Sequence, residues 1–145
     1  MPPSIRPSDV AGRGVLDTST VLLLGRIVDR STLPAEPLIT AVTLAELSVG
    51  PLVTDDSGER AARQAHLQQA ESSFDPLPFD AEAARRFGRV AASLRRAGRK
   101  PAARAFDALI AATAMANDLP VHTCDPDGFA GIDGLDVVVV PHPDR

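Results

Sequence analysis

The sequence contains one cysteine, no tryptophan and no tyrosine. With Cys124 as the only thiol, an intrachain disulfide and a thiolate metal cluster are both excluded, so any metal must be held by oxygen or histidine ligands. The three histidines, His66, His122 and His142, lie far apart without metal-ligand spacing, which favours surface or packing roles. Five phenylalanines are the only aromatic residues, so stacking platforms for single-stranded nucleic acid are poorly supplied.

Long apolar runs are also absent. The longest candidates, residues 21–24 and 137–140, are far shorter than the roughly 20 residues of a membrane-spanning helix. Residues 1–14 carry three prolines and lack the apolar centre of a signal peptide. The sequence therefore predicts a protein of the cytoplasm with no membrane association.

The length of 145 residues fits one domain. Hydrophobic residues make up 44% of the chain and charged residues 23%, which is ordinary globular usage and sufficient for a packed core. We expect a flexible lead over residues 1–13, one folded domain over residues 14–141 and a loose tail over residues 142–145.

Acidic residues outnumber basic ones by 19 to 15, and a net charge of −4 does not by itself favour nucleic acid. The distribution differs from the total, because residues 85–104 carry no acidic side chain and several basic ones. These are Arg85, Arg86, Arg89, Arg95, Arg96, Arg99, Lys100 and Arg104. Such a basic stripe suits contact with RNA phosphates, and the alternative is a solvated helix face. The charge pattern alone supports the two hypotheses equally.

Short apolar runs predict strands at residues 14–17, 37–42, 77–79, 121–123 and 136–141. Helical patterns separate them. This alternation predicts an α/β protein with three α/β/α layers around a central parallel sheet of about five strands. The unbroken apolar run of the last strand is typical of a strand that is covered on both faces.

The predicted helices begin at recognisable residues. A hydroxyl of Thr18, Ser19 or Thr20 is expected to cap the first helix by accepting a hydrogen bond from a free backbone amide. The basic helix is expected to begin after Asp80 and to end near residue 97. The last long helix is expected to begin at Pro101, whose missing amide proton costs nothing in a first turn.

Four acidic residues occupy positions at which functional side chains are expected. Asp17 and Asp125 directly follow strands, and in open α/β sheets the ligand crevice lies at the carboxyl ends of the strands. Asp107 lies in a helix on a face of small apolar residues, and an ion pair with Arg104 is the alternative to a functional role. Glu46 follows the second strand, but Thr43-x-x-Glu46 also satisfies the capping-box pattern, which the local sequence favours.

In combination, the four acids can converge on one crevice. Carboxylates that are brought so close repel one another unless hard divalent cations neutralise them, and Mg²⁺ and Mn²⁺ prefer oxygen ligands. Metal held beside a basic stripe suits phosphodiester hydrolysis.

Four segments resemble the four signatures of PIN-domain ribonucleases, in the same order. They are residues 15–19, 45–50, 104–114 and 123–129. The length resembles the toxin of a VapBC-type toxin–antitoxin pair. The resemblance implies a PIN-like fold in which Asp17, Glu46, Asp107 and Asp125 correspond to the acidic metal-binding, catalytic residues. It also implies Mg²⁺- or Mn²⁺-dependent endoribonuclease activity by attack of a metal-activated water, a VapB-type antitoxin partner and a homodimer.

The fourth segment departs from the family pattern. Gly128 stands directly before Phe129, where the family has a further acid, and Asp127 is displaced by one residue. Asp127 is therefore a candidate for an outer-sphere role. Thr123 is a second supporting candidate, which could hydrogen-bond a metal-bound water or simply end its strand, and Ser19 is a third, for which a helix cap is the alternative. The departure also leaves open an alternative function, that of a catalytically weak PIN-like domain that binds RNA or acts as a scaffold.

Two other enzyme classes place acids at strand ends. Phosphatases of the haloacid-dehalogenase type need a second acid where this chain has Ser19. Receiver domains need a lysine at a late strand, and the only lysine is Lys100, in the basic segment. Both classes are disfavoured.

Overall fold

The computed structural model describes residues 12–145, so nearly all of the lead expected at residues 1–13 lies outside the described residues. Four short strands form one parallel sheet in the order β2-β1-β3-β4. They are β1 (Arg13–Leu16), β2 (Glu36–Leu38), β3 (Val121–Thr123) and β4 (Val137–Val139). The expected α/β architecture with a parallel sheet is confirmed.

Residues 77–79, the remaining predicted strand, contribute a single bridge. Leu77 pairs in parallel with Thr40, through hydrogen bonds from the Ala41 amide to the Leu77 carbonyl (2.8 Å) and from the Leu77 amide to the Ile39 carbonyl (2.9 Å). Prolines stand on both sides of Leu77, and a proline has no amide proton to extend a ladder. The sheet therefore has four full strands, close to the five expected.

Five α-helices connect the strands. They are α1 (Thr18–Leu23), α2 (Ala41–Val49), α3 (Ser57–Ser73), α4 (Ala81–Arg96) and α5 (Ala105–Ala116). Single turns of 3-10 helix occur at Leu24–Arg26, Arg30–Thr32, Gly50–Leu52, Pro101–Arg104 and Pro126–Phe129. Over the part of the chain that the structure describes, no helix combines the length and apolarity that a bilayer crossing requires.

The helix starts differ partly from expectation. Asp80 caps α4 as predicted, since its side chain accepts from the Ala83 amide at 3.0 Å. The hydroxyl cap predicted for α1 is wrong, because the side chain of Asp17 accepts from the Thr20 amide at 3.3 Å. The last long helix begins at Ala105, because Pro101–Arg104 forms a 3-10 turn.

Alternate residues of β1 and β3 point to the same face of the sheet, and the main apolar cluster packs against that face. Val15 and Val121 are fully buried and belong to the main apolar cluster with Val90 and Leu94 of α4 and Ile110 of α5. Successive residues of a strand point to opposite faces, so Asp17 and Thr123 follow the direction of Val15 and Val121. The carboxyl ends of the two central strands thus present polar groups on the side that carries α5.

The last strand lies at the edge of the sheet. Val137 and Val139 are 37% and 53% exposed, and only the following residue, Val140, is fully buried. The prediction of a strand covered on both faces is therefore wrong. A run of valines reports a preference for extended backbone, but it does not distinguish a central strand from an edge strand. Near the chain end, Asp144 forms an ion pair with Arg26.

Candidate active site

Asp17 is the most constrained acid of the site. Its carboxylate is only 3% exposed and accepts hydrogen bonds from the Thr123 hydroxyl (2.8 Å), the Ser19 hydroxyl (3.0 Å), and both the amide and hydroxyl of Thr20. Burial raises the pKa of Asp17, while these hydrogen bonds lower it and leave a net rise. The donors therefore fix the orientation of a carboxylate that is costly to ionise.

Two threonines join Asp17 to the end of β3. The Thr20 hydroxyl accepts from the Cys124 amide at 3.0 Å, and the Thr123 hydroxyl accepts from the Asp125 amide at 2.9 Å. Each hydroxyl thus bridges the Asp17 carboxylate to the backbone that carries Asp125. The sequence predicted Thr20 only as a helix cap and gave no sign of this bridge, since Cys124 lies 104 positions away from Thr20.

Glu46 does not form the predicted capping box. Helix α2 begins at Ala41, and the Thr40 hydroxyl caps it by accepting from the Thr43 amide at 3.3 Å. Glu46 therefore lies beyond the first turn, where its Oε1 accepts from the Thr18 hydroxyl at 2.6 Å. Burial raises the pKa of Glu46, and the nearby charge of Asp17 adds to the rise.

Asp107 lies in the first turn of α5 and is half-buried. Burial, the largest cause, and the charges of Asp17, Glu46 and Asp125 together raise the pKa of Asp107 to about 6. Electrostatic effects of this kind require nearby charges, so Asp17, Glu46 and Asp125 lie close enough to Asp107 for their charges to act on it. Arg104 lowers the pKa of Asp107 without offsetting the rise, and within residues 12–145 the two side chains form no ion pair.

Gly128 is a part of the site that sequence analysis treated only as a departure from a pattern. A Cβ atom built on it would lie 2.6 Å from Oδ2 of Asp107, too close for a real contact. The position before Phe129 therefore has no room for a side chain unless the Asp107 carboxylate moves. Asp127 is exposed, and its backbone carbonyl accepts from Nη2 of Arg99 at 3.1 Å.

The donor set fits a hard divalent cation. The four converging groups offer carboxylate oxygens, and their mutual repulsion is relieved when a cation lies between them. Over the described residues, no three acidic, histidine or cysteine side chains form a ready-made metal cage. The fit to Mg²⁺ therefore rests on the type of donor, since this ion prefers carboxylate oxygens, commonly binds one or two of them and keeps several of its waters.

The basic stripe is partly neutralised. Arg85 and Arg86 pair with Glu82, and Arg96 pairs with Asp133. In the region from residue 12 onward, no ion pair involves the exposed side chains of Arg89, Arg95 and Lys100. Acidic partners thus neutralise part of the stripe at both ends of α4, and the basic groups of Arg89, Arg95 and Lys100 stay available to a phosphate.

Residues 15–135 match the family described as PIN domain. The chain belongs to the PIN-domain family. The PIN domain is 40% identical over 129 residues to Ribonuclease VapC5 of Mycobacterium tuberculosis strain H37Rv, with 88% of this chain and 93% of that protein covered. It is 35% identical over 106 residues to Ribonuclease VapC8 of the same strain, covering 71% and 91% of the two chains.

A solved structure agrees with these relatives. The crystal structure of VapBC-5, a toxin–antitoxin system of Mycobacterium tuberculosis, superposes with a TM-score of 0.76 at 38% identity, covering 89% of this PIN domain and 99% of that chain. The expected resemblance to VapC-type PIN domains is confirmed. The roles of individual side chains remain predictions.

Replacing Asp107 by asparagine should stabilise the metal-free PIN domain at pH 7.5 by on the order of 1 kcal/mol, after allowance for its partial exposure to solvent. A carboxyl with a pKa raised to about 6 binds its proton more tightly in the folded protein than in the unfolded chain. Its contribution to stability is therefore present at acidic pH and is lost as the pH rises through 6. Urea unfolding in EDTA from pH 4.5 to 7.5 measures the difference.

The matched control is Asp55→Asn, which changes an exposed carboxylate and should leave the free energy of unfolding unaltered. A metal-free Asp107→Asn protein that is less stable than the parent at pH 7.5 would show that the Asp107 carboxylate is stabilised by its surroundings, contrary to this account.

Proposed function

We propose that the protein is a metal-dependent endoribonuclease, the toxin of a type II toxin–antitoxin pair, which acts in the cytoplasm and hydrolyses RNA phosphodiester bonds. The observation that carries the proposal is the electrostatic proximity of four acids. Asp17 and Asp125 follow β1 and β3, Glu46 and Asp107 lie on α2 and α5, and the charges of the other three acids raise the pKa of Asp107. The names of the VapC5 and VapC8 relatives, both ribonucleases, support the same activity.

The proposed metal-holding residues are Asp17, Glu46, Asp107 and Asp125. A bound Mg²⁺ or Mn²⁺ would polarise the phosphate, lower the pKa of water and stabilise the leaving oxygen. Asp17 is suited to a fixed ligand position, since hydrogen bonds from Ser19, Thr20 and Thr123 immobilise its carboxylate.

Glu46 is suited to handle a proton. Thr18 occupies Oε1, and no described donor occupies Oε2, which is left to orient a water or accept its proton. The raised pKa of Glu46 moves it toward the range in which a carboxylate serves as a base near neutral pH. Asp127 contributes to the turn Pro126–Phe129 through its backbone carbonyl, which accepts a hydrogen bond from Arg99. No described donor contacts its carboxylate.

The alternative function, a catalytically weak RNA-binding or scaffolding domain, was based on the missing acid at Gly128. Oδ2 of Asp107 occupies the space that a side chain at position 128 would need. The glycine therefore makes room for the Asp107 carboxylate, which is a role in the site. All four principal carboxylates are present, which favours the enzyme.

We also propose a VapB-type antitoxin as partner. The structural relative is a toxin–antitoxin complex, and a nuclease that cuts cellular RNA must be restrained. An arginine of the antitoxin could pair with the carboxylates of the site. The protein is further proposed to form a homodimer, with residues 21–28 or the helical region 57–97 as the interface.

The direct test incubates the purified protein with RNA in Mg²⁺, in Mn²⁺ and in EDTA. Cleavage should require the divalent ion. Because water rather than the RNA 2′-hydroxyl attacks phosphorus, the products should carry no 2′,3′-cyclic phosphate. Cleavage that persists in EDTA, or cyclic-phosphate ends, would reject the mechanism, and RNA binding without any cleavage would favour the scaffolding alternative.

Arg99→Gln should weaken RNA binding and reduce its salt dependence. Arg99 lies against the Asp127 carbonyl at the edge of the acidic site, so its charge is placed to contact a phosphate. Loss of one phosphate contact should reduce the slope of log K against log salt by about 0.7 for a single strand. Filter binding in EDTA over a salt series measures the slope. Arg85→Gln, whose parent side chain pairs with Glu82, is the matched control, and an equal effect of both changes would contradict the assignment.

A further inference from the structure

The shortage of aromatic residues makes the position of each one informative. Phe129 is buried, and Phe74 and Phe87 are partly buried against the apolar clusters. Two remain largely accessible, Phe79 at 37% and Phe106 at 55% exposure. Phe106 directly precedes Asp107 in the first turn of α5, so an exposed aromatic ring lies at the acidic site.

Phe106 does not contribute to the folded core. The buried face of α5 consists of Ala108, Ile110, Ala111, Ala112, Thr113 and Ala114. Leaving more than half of a large aromatic side chain exposed forgoes roughly 1 kcal/mol of burial energy, and Phe106 belongs to none of the three apolar clusters of the described residues. A substitution there should therefore leave the fold intact, which makes Phe106 suitable for a functional test.

The surroundings of Phe106 combine an apolar surface with charge. It lines a cavity of about 350 Å³ together with Glu46, Arg104 and Asp107, and three alanines, Ala102, Ala103 and Ala105, form the rest of the wall. Such a volume falls within the range of ligand pockets. The lining of the cavity thus combines two carboxylates and a guanidinium with an aromatic ring and small side chains.

We propose that Phe106 stacks on an unpaired nucleobase adjacent to the phosphate that is cut. This inference rests on the proposed nuclease function and narrows its substrate to RNA with an unpaired base at the cleavage point. A nucleotide matches the cavity because it joins a flat apolar base to a phosphate. The base fits against the ring of Phe106, and the phosphate fits near Arg104 and the acids that would hold the divalent ion.

Other occupants match less well. A purely apolar partner segment would bury the charges of Asp107 and Arg104 without compensating groups, which is unfavourable. A paired base in an RNA helix keeps its face stacked within the helix, so it cannot offer that face to a side chain. The combination of charges and ring therefore favours a single-stranded or looped segment.

The first experiment compares Phe106→Ala, Phe106→Leu and Phe106→Trp in steady-state cleavage of a short RNA. Loss of one base–aromatic stack should raise KM roughly 10-fold in the alanine variant, with little change in kcat. Tryptophan should restore the parental KM, because it keeps an aromatic face, whereas leucine should not. Phe79→Ala, which removes the other exposed ring, is the matched control and should behave like the parent.

The second experiment measures stacking without cleavage. RNA carrying 2-aminopurine at the nucleotide beside the cut is bound to the Asp17→Asn protein, with and without Phe106→Ala. Quenching of the fluorophore should depend on Phe106. Replacing that nucleotide by an abasic one should remove the difference in affinity between the two proteins, because the two changes delete the same contact.

Several results would overturn the proposal. These are equal KM values for the parent and Phe106→Ala, rescue by leucine, quenching that is independent of Phe106, and a Phe106→Ala defect confined to dimerisation or antitoxin binding. Failure of the nuclease function has a different signature. In that case the parent cleaves no RNA in Mg²⁺, and RNAs carrying 2-aminopurine at each unpaired position in turn still report whether a base stacks on Phe106.

Discussion

Replacing Asp17 by asparagine should lower kcat for RNA cleavage at least about 10³-fold, which corresponds to roughly 4 kcal/mol of lost transition-state stabilisation. The amide keeps the shape of the side chain. Its single oxygen can still accept from Thr20, and its NH2 group can donate to the Thr123 hydroxyl, so the fold should persist. It removes the most buried negative charge of the site, and with it the ligand whose orientation is most fixed. Single-turnover cleavage in saturating Mg²⁺ measures the loss.

A matched control is available in the same chain. Asp29 also caps a short helical turn with its side chain, accepting from the Ser31 amide at 3.0 Å, but it is exposed and belongs to no acidic cluster. Asp29→Asn should therefore retain parental activity. An Asp17→Asn protein that is folded and cuts RNA at a rate near that of the parent would show that Asp17 serves only as a helix cap.

Gly128→Ala should reduce kcat by about 10²-fold, because a displacement near 1 Å of a catalytic group has consequences of that size. The added methyl group would lie 2.6 Å from Oδ2 of Asp107, so the carboxylate must move away from its place beside the other acids. Affinity for RNA should change little. Activity assays combined with a crystal structure of the variant would measure both the loss and the displacement.

Gly88→Ala is the matched control, because it makes the same glycine-to-alanine substitution at a position with free space. No atom lies within 4 Å of a Cβ built at Gly88, and the residue lies on the exposed side of α4. Alanine is preferred over glycine inside a helix by up to about 1 kcal/mol, so this variant should be fully active and slightly more stable. Full activity of Gly128→Ala would contradict the assigned position of Asp107.

The sequence predicted most of the fold, because the relevant signals are local. Alternating apolar runs and helical patterns identified all four strands and the five helices, and Asp80 was predicted as the cap of α4. The errors also have local causes. Flanking prolines reduced the strand at residues 77–79 to one bridge, and the exposure of β4 depends on its place in the sheet, which a valine run does not encode.

The acidic residues of the candidate site could be proposed from the sequence, but the side chains that hydrogen-bond to them could not. Asp17 and Asp125 were proposed because they follow strands. Asp107 was proposed because a carboxylate on a helix face of small apolar residues is costly to bury without a cation. Glu46 was assigned locally to a capping box, whereas its partner is Thr18, 28 positions earlier.

The proximity of Gly128 to the Asp107 carboxylate could not be predicted from the sequence either. The two residues lie on different elements, and their proximity exists only after β3 and α5 have packed on the same sheet. A single sequence shows that an acid is missing before Phe129, but it does not show that another carboxylate occupies the space. Long-range polar contacts of this kind require coordinates.

The most direct test of the central claim is the binding of Mn²⁺ by the purified protein, followed by calorimetry and electron paramagnetic resonance. The account predicts that the parent binds Mn²⁺, that Mg²⁺ competes for the same site, and that Asp17→Asn and Asp107→Asn each abolish or greatly weaken binding while Asp29→Asn does not. A parent protein that binds no Mn²⁺, or binding unchanged in Asp17→Asn and Asp107→Asn, would contradict it.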